Sequence, residues 1–411
     1  MSQGSVAIVG AGHAGGRVAQ HLIEAGYSGQ VTLIGEEIHH PYERPALSKE
    51  LLLGSKTVDD LLLAPAPFWT GTPNLQRLHA RVVGLDSRAK VLELDSGHPV
   101  AFEHLVLATG GAPRRLSIPG GDLPGLHYLR TLDEGHALRE ALQGARSLAV
   151  IGAGVIGMEA AASATRMGLK VMVIEAGARV MARCIPAEVS EWLAGEHRAA
   201  GVGLHLGAGV KAIEACGSAY QVHGVADDGT SLVIEADAVL VAVGIVCETD
   251  FADRAGILVD NGIVVDAHCR SINTPWCYAV GDVASTLVPA LGAHVRQETW
   301  RNAENQASAV AEFILGRTEP YHETQWMWTD QFGHNIQVVG VPQPGDVVVP
   351  RGDLLTGKAT LVHLRDGVVT GGVMINQGRD RKALEALVAQ GCAPDIARLA
   401  DLTVNLKQVA V

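Results

Sequence analysis

Apolar positions in this chain come in two textures. Nearly unbroken runs occupy residues 5–9, 31–34, 105–108, 148–151, 170–174 and 238–243, with Ser5, Thr32 and Lys170 as their only polar members. A strand with apolar residues at both odd and even positions has no face left for water, so these runs predict strands buried on both sides, as in a parallel sheet covered by other layers. Between them, residues 17–25, 132–142, 155–166 and 302–315 carry helix-forming sequence. Alternation marks the short strands at 204–206, 210–213, 220–225 and 231–234, with Asp227-Asp228-Gly229 as a hairpin signal. After Glu319-Pro320 the texture changes again. Trp326 and Trp328 at spacing two point to one strand face and read as packing, strands follow at 335–341 and 359–364, and a helix closes the segment at 379–390.

Two of the buried runs end in the same way. The run at 5–9 leads into Gly10-Ala11-Gly12-His13-Ala14-Gly15 and a helix; the next strand, 31–34, ends in Gly35-Glu36-Glu37. The run at 148–151 leads into Gly152-Ala153-Gly154-Val155-Ile156-Gly157 and a helix, and the next strand ends in Glu175. A helix N-terminus offers unpaired N–H groups and roughly half a positive charge, which suits a diphosphate. The first glycine permits the tight turn, the second lets phosphate approach backbone, the third lets helix and strand pack closely, and the acid receives a ribose hydroxyl. Two such turns predict two dinucleotides, and a flavin with a nicotinamide is the economical pair. Glu175 would repel a 2′-phosphate and favours NADH; Arg179 and Arg183 pull the other way.

At 411 residues the chain is too long for one core and predicts two or three domains. A net charge of −12 argues against a nucleic-acid binder and against an anionic membrane surface as partner. No run approaches the roughly 20 apolar residues of a membrane span, and the glycine-broken first 20 residues do not form a signal peptide. The six cysteines form no CxxC pair and no metal spacing, so they read as reduced thiols of a cytoplasmic protein, mostly packing residues. The 17 histidines show no zinc pattern; His13, His39 and His40 read as loop residues.

Other chemistry gathers around these turns. The segment Tyr42-Glu43-Arg44-Pro45-Ala46-Leu47-Ser48-Lys49, entering a helix at about Ala46, brings Arg44 and Lys49 near the first cofactor. Ala108-Thr109-Gly110-Gly111 ends one buried strand and Gly244 another. Glu159, in the helix after the second turn, either compensates the helix dipole or pairs with Lys49 across a domain interface. Asp282, after Tyr278-Ala279-Val280-Gly281, is a plain N-cap or a holder of ribityl hydroxyls. Trp300, in Glu298-Thr299-Trp300, is a core residue or a stacking face for a planar cofactor.

With these motifs placed, and with Ile156-Gly157-Met158-Glu159 and Trp326-Met327-Trp328-Thr329-Asp330-Gln331 beside them, residues 5–405 resemble the FAD-dependent, NADH-dependent ferredoxin reductases of bacterial ring-hydroxylating dioxygenases and haem-thiolate monooxygenases. That family includes rubredoxin reductases and is similar to apoptosis-inducing factor. The resemblance implies an α/β protein of glutathione-reductase type with two Rossmann-like dinucleotide-binding domains and a C-terminal α+β domain. Residues 1–115 and 243–319 would form the FAD domain, 116–242 the NAD domain and 320–411 the C-terminal domain. FAD would be held by Gly10, Gly12, Ala14, Gly15, Glu36, Arg44, Lys49, Val82, Ala108, Thr109, Gly110, Gly281, Asp282, Glu298, Thr299 and Trp300. NAD would be held by Gly152, Gly154, Val155, Ile156, Gly157, Glu159, Glu175, Arg183 and Gly244, with Lys49, Glu159 and Trp300 as catalytic residues and no metal. Gly35 stands where the family has its first ribose acid, so Glu36 would act one place later. Disulfide reductases of this fold carry a cysteine in the segment that here runs from His39 to Lys49, and none is present. Electrons from NADH would therefore leave FAD singly, to a separate ferredoxin of Rieske or plant/adrenodoxin type that feeds an oxygenase. A rubredoxin reductase, an NADH oxidase and a redox-sensing interaction protein are the alternatives, and the chain would be a monomer or homodimer.

Overall fold

The computed structural model describes residues 4–289 and 291–409, which divide into two compact units, 4–45 with 57–112 and 245–323, and 46–56 with 113–244 and 324–409. The first unit is built on five parallel strands in the order Cys277–Ala279, His104–Leu107, Val6–Val9, Val31–Gly35, Leu75–His79. Alternate side chains leave opposite faces of a strand, and here both faces are buried. Val6, Ile8, Val31, Leu33, Val106 and Tyr278 pack with Val18, Leu22, Ala307 and Val310 of the helices His13–Glu24 and Trp300–Ile314. Ala7, Val9, Ile34, Leu105, Leu107 and Ala279 pack on the other side with Val82, Leu92 and Phe102 of a small antiparallel layer. That is why apolar residues stand at both odd and even positions of these runs.

The second unit repeats the plan. Its parallel sheet runs Gly203–Leu206, Lys170–Glu175, Ser147–Ile151, Ala238–Val241, Leu126–His127. Leu148, Val150, Val171, Val173 and Leu240 face the helices Leu132–Gly144, Val155–Arg166 and Ala187–Ala199. Ala149, Ile151, Ile174, Val239 and Val241 face a three-stranded antiparallel sheet. The same unit holds a five-stranded antiparallel sheet in the order Trp326–Gln331, His334–Gly340, Val368–Ile375, Lys358–Arg365, Val347–Asp353. One face of it joins the helical core through Ile336, Leu361 and Val373, and the other is covered by the helix Arg381–Ala389.

Residues 204–206 form a strand as expected, and it is the half-buried edge of the parallel sheet. Several other expectations need correction. The helix expected from Ala46 is a 3₁₀ turn, Pro45–Ser48, then a separate helix, Glu50–Leu53, because Lys49 leaves helical geometry at φ −126°, ψ −92°. His13 is the first helical residue, not a loop residue. Asp282 is not an N-cap, since it sits inside the turn Gly281–Val283, whose N-terminal neighbour is Val280. Of the six cysteines only Cys269 and Cys277 are fully buried, so fewer of them are packing residues than expected.

Candidate functional site

The two glycine turns are built alike to the ångström. Gly10 and Gly152 have φ of 107° and 103°, which L side chains rarely adopt. A Cβ at Gly10 would stand 2.2 Å from the carbonyl oxygen of Ala108, and one at Gly152 would stand 2.4 Å from that of Ala242. The third glycine closes each helix onto its strand: a Cβ would lie 1.9 Å from the Gly10 carbonyl at Gly15 and 2.1 Å from the Gly152 carbonyl at Gly157. Both helices begin at once, with Gly12 and Gly154 as N-caps that make no side-chain bond, so their first N–H groups stay available for an anion. At Gly154 no protein atom lies within 4 Å of the Cβ position, and at Gly12 the neighbour is the Arg44 guanidinium at 3.2 Å. These cradles fit the diphosphates of FAD and NAD(H).

Around the first cradle, Arg44 is clamped: Glu37 accepts from its Nη2 at 2.6 Å, Tyr42 accepts from its Nη1 at 3.2 Å, and Tyr42 donates to Glu37 at 2.6 Å. Burial opposes the guanidinium charge, but Tyr42, Glu37 and Asp282 outweigh it and raise the pKa. Gly281 approaches the start of the first helix, where its Cβ would meet that of Ala14 at 3.0 Å, and its N–H donates to Gln306. Thr109 donates to the Glu248 carbonyl. Thr299 caps the helix that Trp300 opens, and Trp300 lies 5.5 Å from the His13 ring. His13 and Arg17 both bond Glu304 at 2.8 Å. Burial raises the Glu304 pKa, yet those two partners bring it below the ordinary carboxylate value. Glu298 pairs with Arg296 at 2.8 Å. Val82 lies in the core beneath the sheet.

The two strand-end acids differ. Glu175 accepts from the N–H of Ala153, inside its own glycine turn, at 2.7 Å, and from that of Gly177 at 2.6 Å. At the matching place stands Gly35, where a Cβ would lie 2.5 Å from that of Ala11. Glu36 follows, 57 % exposed and 3.6 Å from Arg81, while Glu37 turns back to Arg44. The clamp by Glu37 had a signal in the sequence, two adjacent acids before Tyr42 and Arg44, but not one that separates their roles.

In the second unit Lys49 and Glu159 meet at 3.0 Å, with side-chain exposures of 13 % and 3 %. The pair does not bridge the two units, because residues 46–56 cluster with the second. Two donors absent from the expected site complete the carboxylate: Ser48 Oγ at 2.5 Å on Oε2 and Thr329 Oγ1 at 2.7 Å on Oε1. Arg183 reaches toward Gly244, at 4.0 Å from its Cβ position. Val155 and Ile156 open the second helix, and Ile156 is exposed. Among the described residues no group of His, Cys, Asp and Glu could hold a metal ion, and no helix is long and apolar enough to cross a membrane.

Residues 4–307 match the pyridine nucleotide-disulphide oxidoreductase family model and residues 326–410 the reductase C-terminal model. The chain is 37 % identical over 99 % of both chains to the ferredoxin–NAD(+) reductase component of an anthranilate 1,2-dioxygenase system from Burkholderia cepacia. It is 39 % identical, over 98 % of this chain and 97 % of the other, to the ferredoxin reductase subunit of a 5,5′-dehydrodivanillate O-demethylase from Sphingobium. The reductase in the crystal structure of the covalent putidaredoxin reductase–putidaredoxin complex superposes with a TM-score of 0.92 at 30 % identity, covering 100 % of this chain and 98 % of that one. With two glutathione-reductase-type dinucleotide cradles followed by an antiparallel C-terminal sheet, the chain belongs to the pyridine nucleotide-disulphide oxidoreductase family, on its FAD- and NAD(H)-dependent ferredoxin reductase branch.

Proposed function

We propose that this protein passes electrons from NADH to a ferredoxin that feeds an oxygenase. The duplicated cradle carries the reading: one chain with two diphosphate sites of the same construction binds two dinucleotides. FAD, when bound, supplies the conversion between a two-electron donor and a one-electron acceptor. The residues supply the rest. Gly10, Gly12, Ala14 and Gly15 with Arg44 hold the FAD diphosphate, and Glu36 its adenosine ribose. Asp282 with Gly281 takes the ribityl chain, and Ala108, Thr109, Gly110, Glu298, Thr299 and Trp300 line the ring. Gly152, Gly154, Val155, Ile156 and Gly157 hold the NAD diphosphate, Glu175, Arg183 and Gly244 its adenosine side, and Lys49 with Glu159 orders the nicotinamide. In domain terms, 1–115 and 243–319 bind FAD, 116–242 binds NAD and 320–411 is the C-terminal domain.

Ferredoxin is favoured over a disulfide as acceptor because residues 39–49 contain no cysteine and the chain has no CxxC pair. That cysteine usage supports a cytoplasmic location. The experiment is anaerobic reduction of the purified yellow protein by NADH, followed by mixing with oxidised Rieske-type or adrenodoxin-type ferredoxin. Rapid reoxidation by one of them, against slow reoxidation by oxygen, supports the reading. Reoxidation by oxygen as fast as by either ferredoxin would make the protein an NADH oxidase, and a colourless protein that takes up no flavin would end the proposal.

A further inference from the structure

Strand alternation puts Trp326 and Trp328 on one face of Trp326–Gln331, where their rings stack at 5.1 Å, and Thr329 and Gln331 on the other, fully buried. From that second face a chain of hydrogen bonds runs to Glu159. Glu159 Oε1 takes Thr329 Oγ1 at 2.7 Å; Thr329 takes Gln331 Nε2 at 2.9 Å; Gln331 Oε1 meets His197 Nε2 at 2.7 Å. The direction of every bond follows from one end. A carboxylate that accepts from Lys49 and Ser48 also accepts from Thr329, which spends the only hydroxyl proton of that threonine. Thr329 Oγ1 must then receive from the amide side of Gln331, whose second N–H points to Met181 Sδ at 3.5 Å. The Gln331 carbonyl is left for His197, which donates through Nε2. His197 is fully buried and, among the described residues, its Nδ1 has no partner, so the ring is held through that single bond. Burial keeps it neutral, with its pKa lowered to about 4. Met181 in turn donates its N–H to the Ala153 carbonyl inside the glycine turn.

We propose that Thr329 and Gln331, anchored on His197, are positioning residues that fix the Glu159 carboxylate in the orientation that holds Lys49, so that the C-terminal sheet takes part in ordering the nicotinamide side. This rests on the roles proposed above for Lys49 and Glu159. No single stretch of sequence contains the device: Glu159, His197 and residues 329–331 come from two helices and a strand far apart in the chain.

The test compares Thr329→Val, Thr329→Ser and Gln331→Met in the FAD-loaded protein, alone and with Glu159→Gln. The inference expects Thr329→Val to slow NADH-dependent flavin reduction about tenfold, the worth of one hydrogen bond to a charged group. NAD⁺ affinity by calorimetry should change less than twofold, Thr329→Ser should keep the rate, and in the Glu159→Gln background Thr329→Val should add nothing to the loss of rate and lower the thermal midpoint by less than it does alone. Gln331→Met should reproduce the effect in weaker form if Thr329→Val does not fold. Additive losses with Glu159→Gln, or a normal rate with only a lowered thermal midpoint, would overturn it. If the unsubstituted protein is not reduced by NADH at all, it is the proposed function that fails, and the thermal cycle still reads the Thr329–Glu159 coupling.

Discussion

Lys49 is an ammonium removed from most of its water, and what makes that tolerable is the carboxylate 3.0 Å away. Lys49→Met keeps the stem and removes the charge; it should slow flavin reduction by NADH roughly ten- to a hundredfold, and an unchanged stopped-flow rate would remove Lys49 from the reaction. Glu175 is a residue with two tasks. It ties its own strand end to the backbone of Ala153 and Gly177, and in the function proposed above the oxygens so held would receive a ribose diol. Glu175→Ala should raise the KM for NADH about tenfold or more, the loss expected from charged hydrogen bonds, and shrink the ratio of kcat/KM for NADH over NADPH. Steady-state kinetics with both nucleotides checks it.

At the scale of the element, the glycine turn separates two kinds of glycine that look identical in sequence. A Cβ at Gly157 collides with the Gly152 carbonyl, whereas one at Gly154 meets nothing. Gly157→Ala should lower stability by roughly 1–3 kcal/mol or more through overpacking. Gly154→Ala should leave the thermal midpoint within a degree or two, about the range of a neutral surface change, yet weaken NAD⁺ binding because its methyl enters the path of the diphosphate. Equal effects of the two on NAD⁺ affinity and stability would contradict this. The helix Ala187–Ala199 carries a different liability. His197 binds no proton in the folded state until pH falls to about 4, while in the unfolded chain it protonates near the ordinary histidine value of about 6.5. Acid therefore favours unfolding across that window. The protein should lose up to roughly 3 kcal/mol between pH 6.5 and 4 from this residue, with half-buried His104 and His127 and buried His363 adding in the same direction. Denaturant titrations at several pH values should show the slope, and His197→Asn should flatten it.

The whole molecule carries a charge of −12, which repels an acidic partner at long range. If, as we propose, local basic residues nonetheless draw in a ferredoxin, turnover should fall as salt is raised, because screening at 0.1 M and above confines such attraction to about 10 Å. A turnover rate independent of ionic strength would remove electrostatic docking from the account.

What the sequence determined by itself is what local geometry and solvation decide within a few residues. An apolar run with no polar alternation has to be covered on both faces, and residues 5–9 and 148–151 are. Gly10 and Gly152 have to take positive φ, and they do. An acid at the end of a strand lies beside the turn before it, as Glu175 shows. The order of strands, the split of the first unit into three segments, and the membership of residues 46–56 in the second unit belong to the tertiary structure. So does the choice between Glu36 and Glu37, since adjacent residues point apart and only the position of Arg44 decides which one is used. The link of Thr329, Gln331 and His197 to Glu159 has no signal in the sequence for the same reason. A buried hydrogen bond is a statement about two atoms within 3 Å, and nothing in the spacing of residues 159, 197 and 329 along the chain says that folding will bring them there.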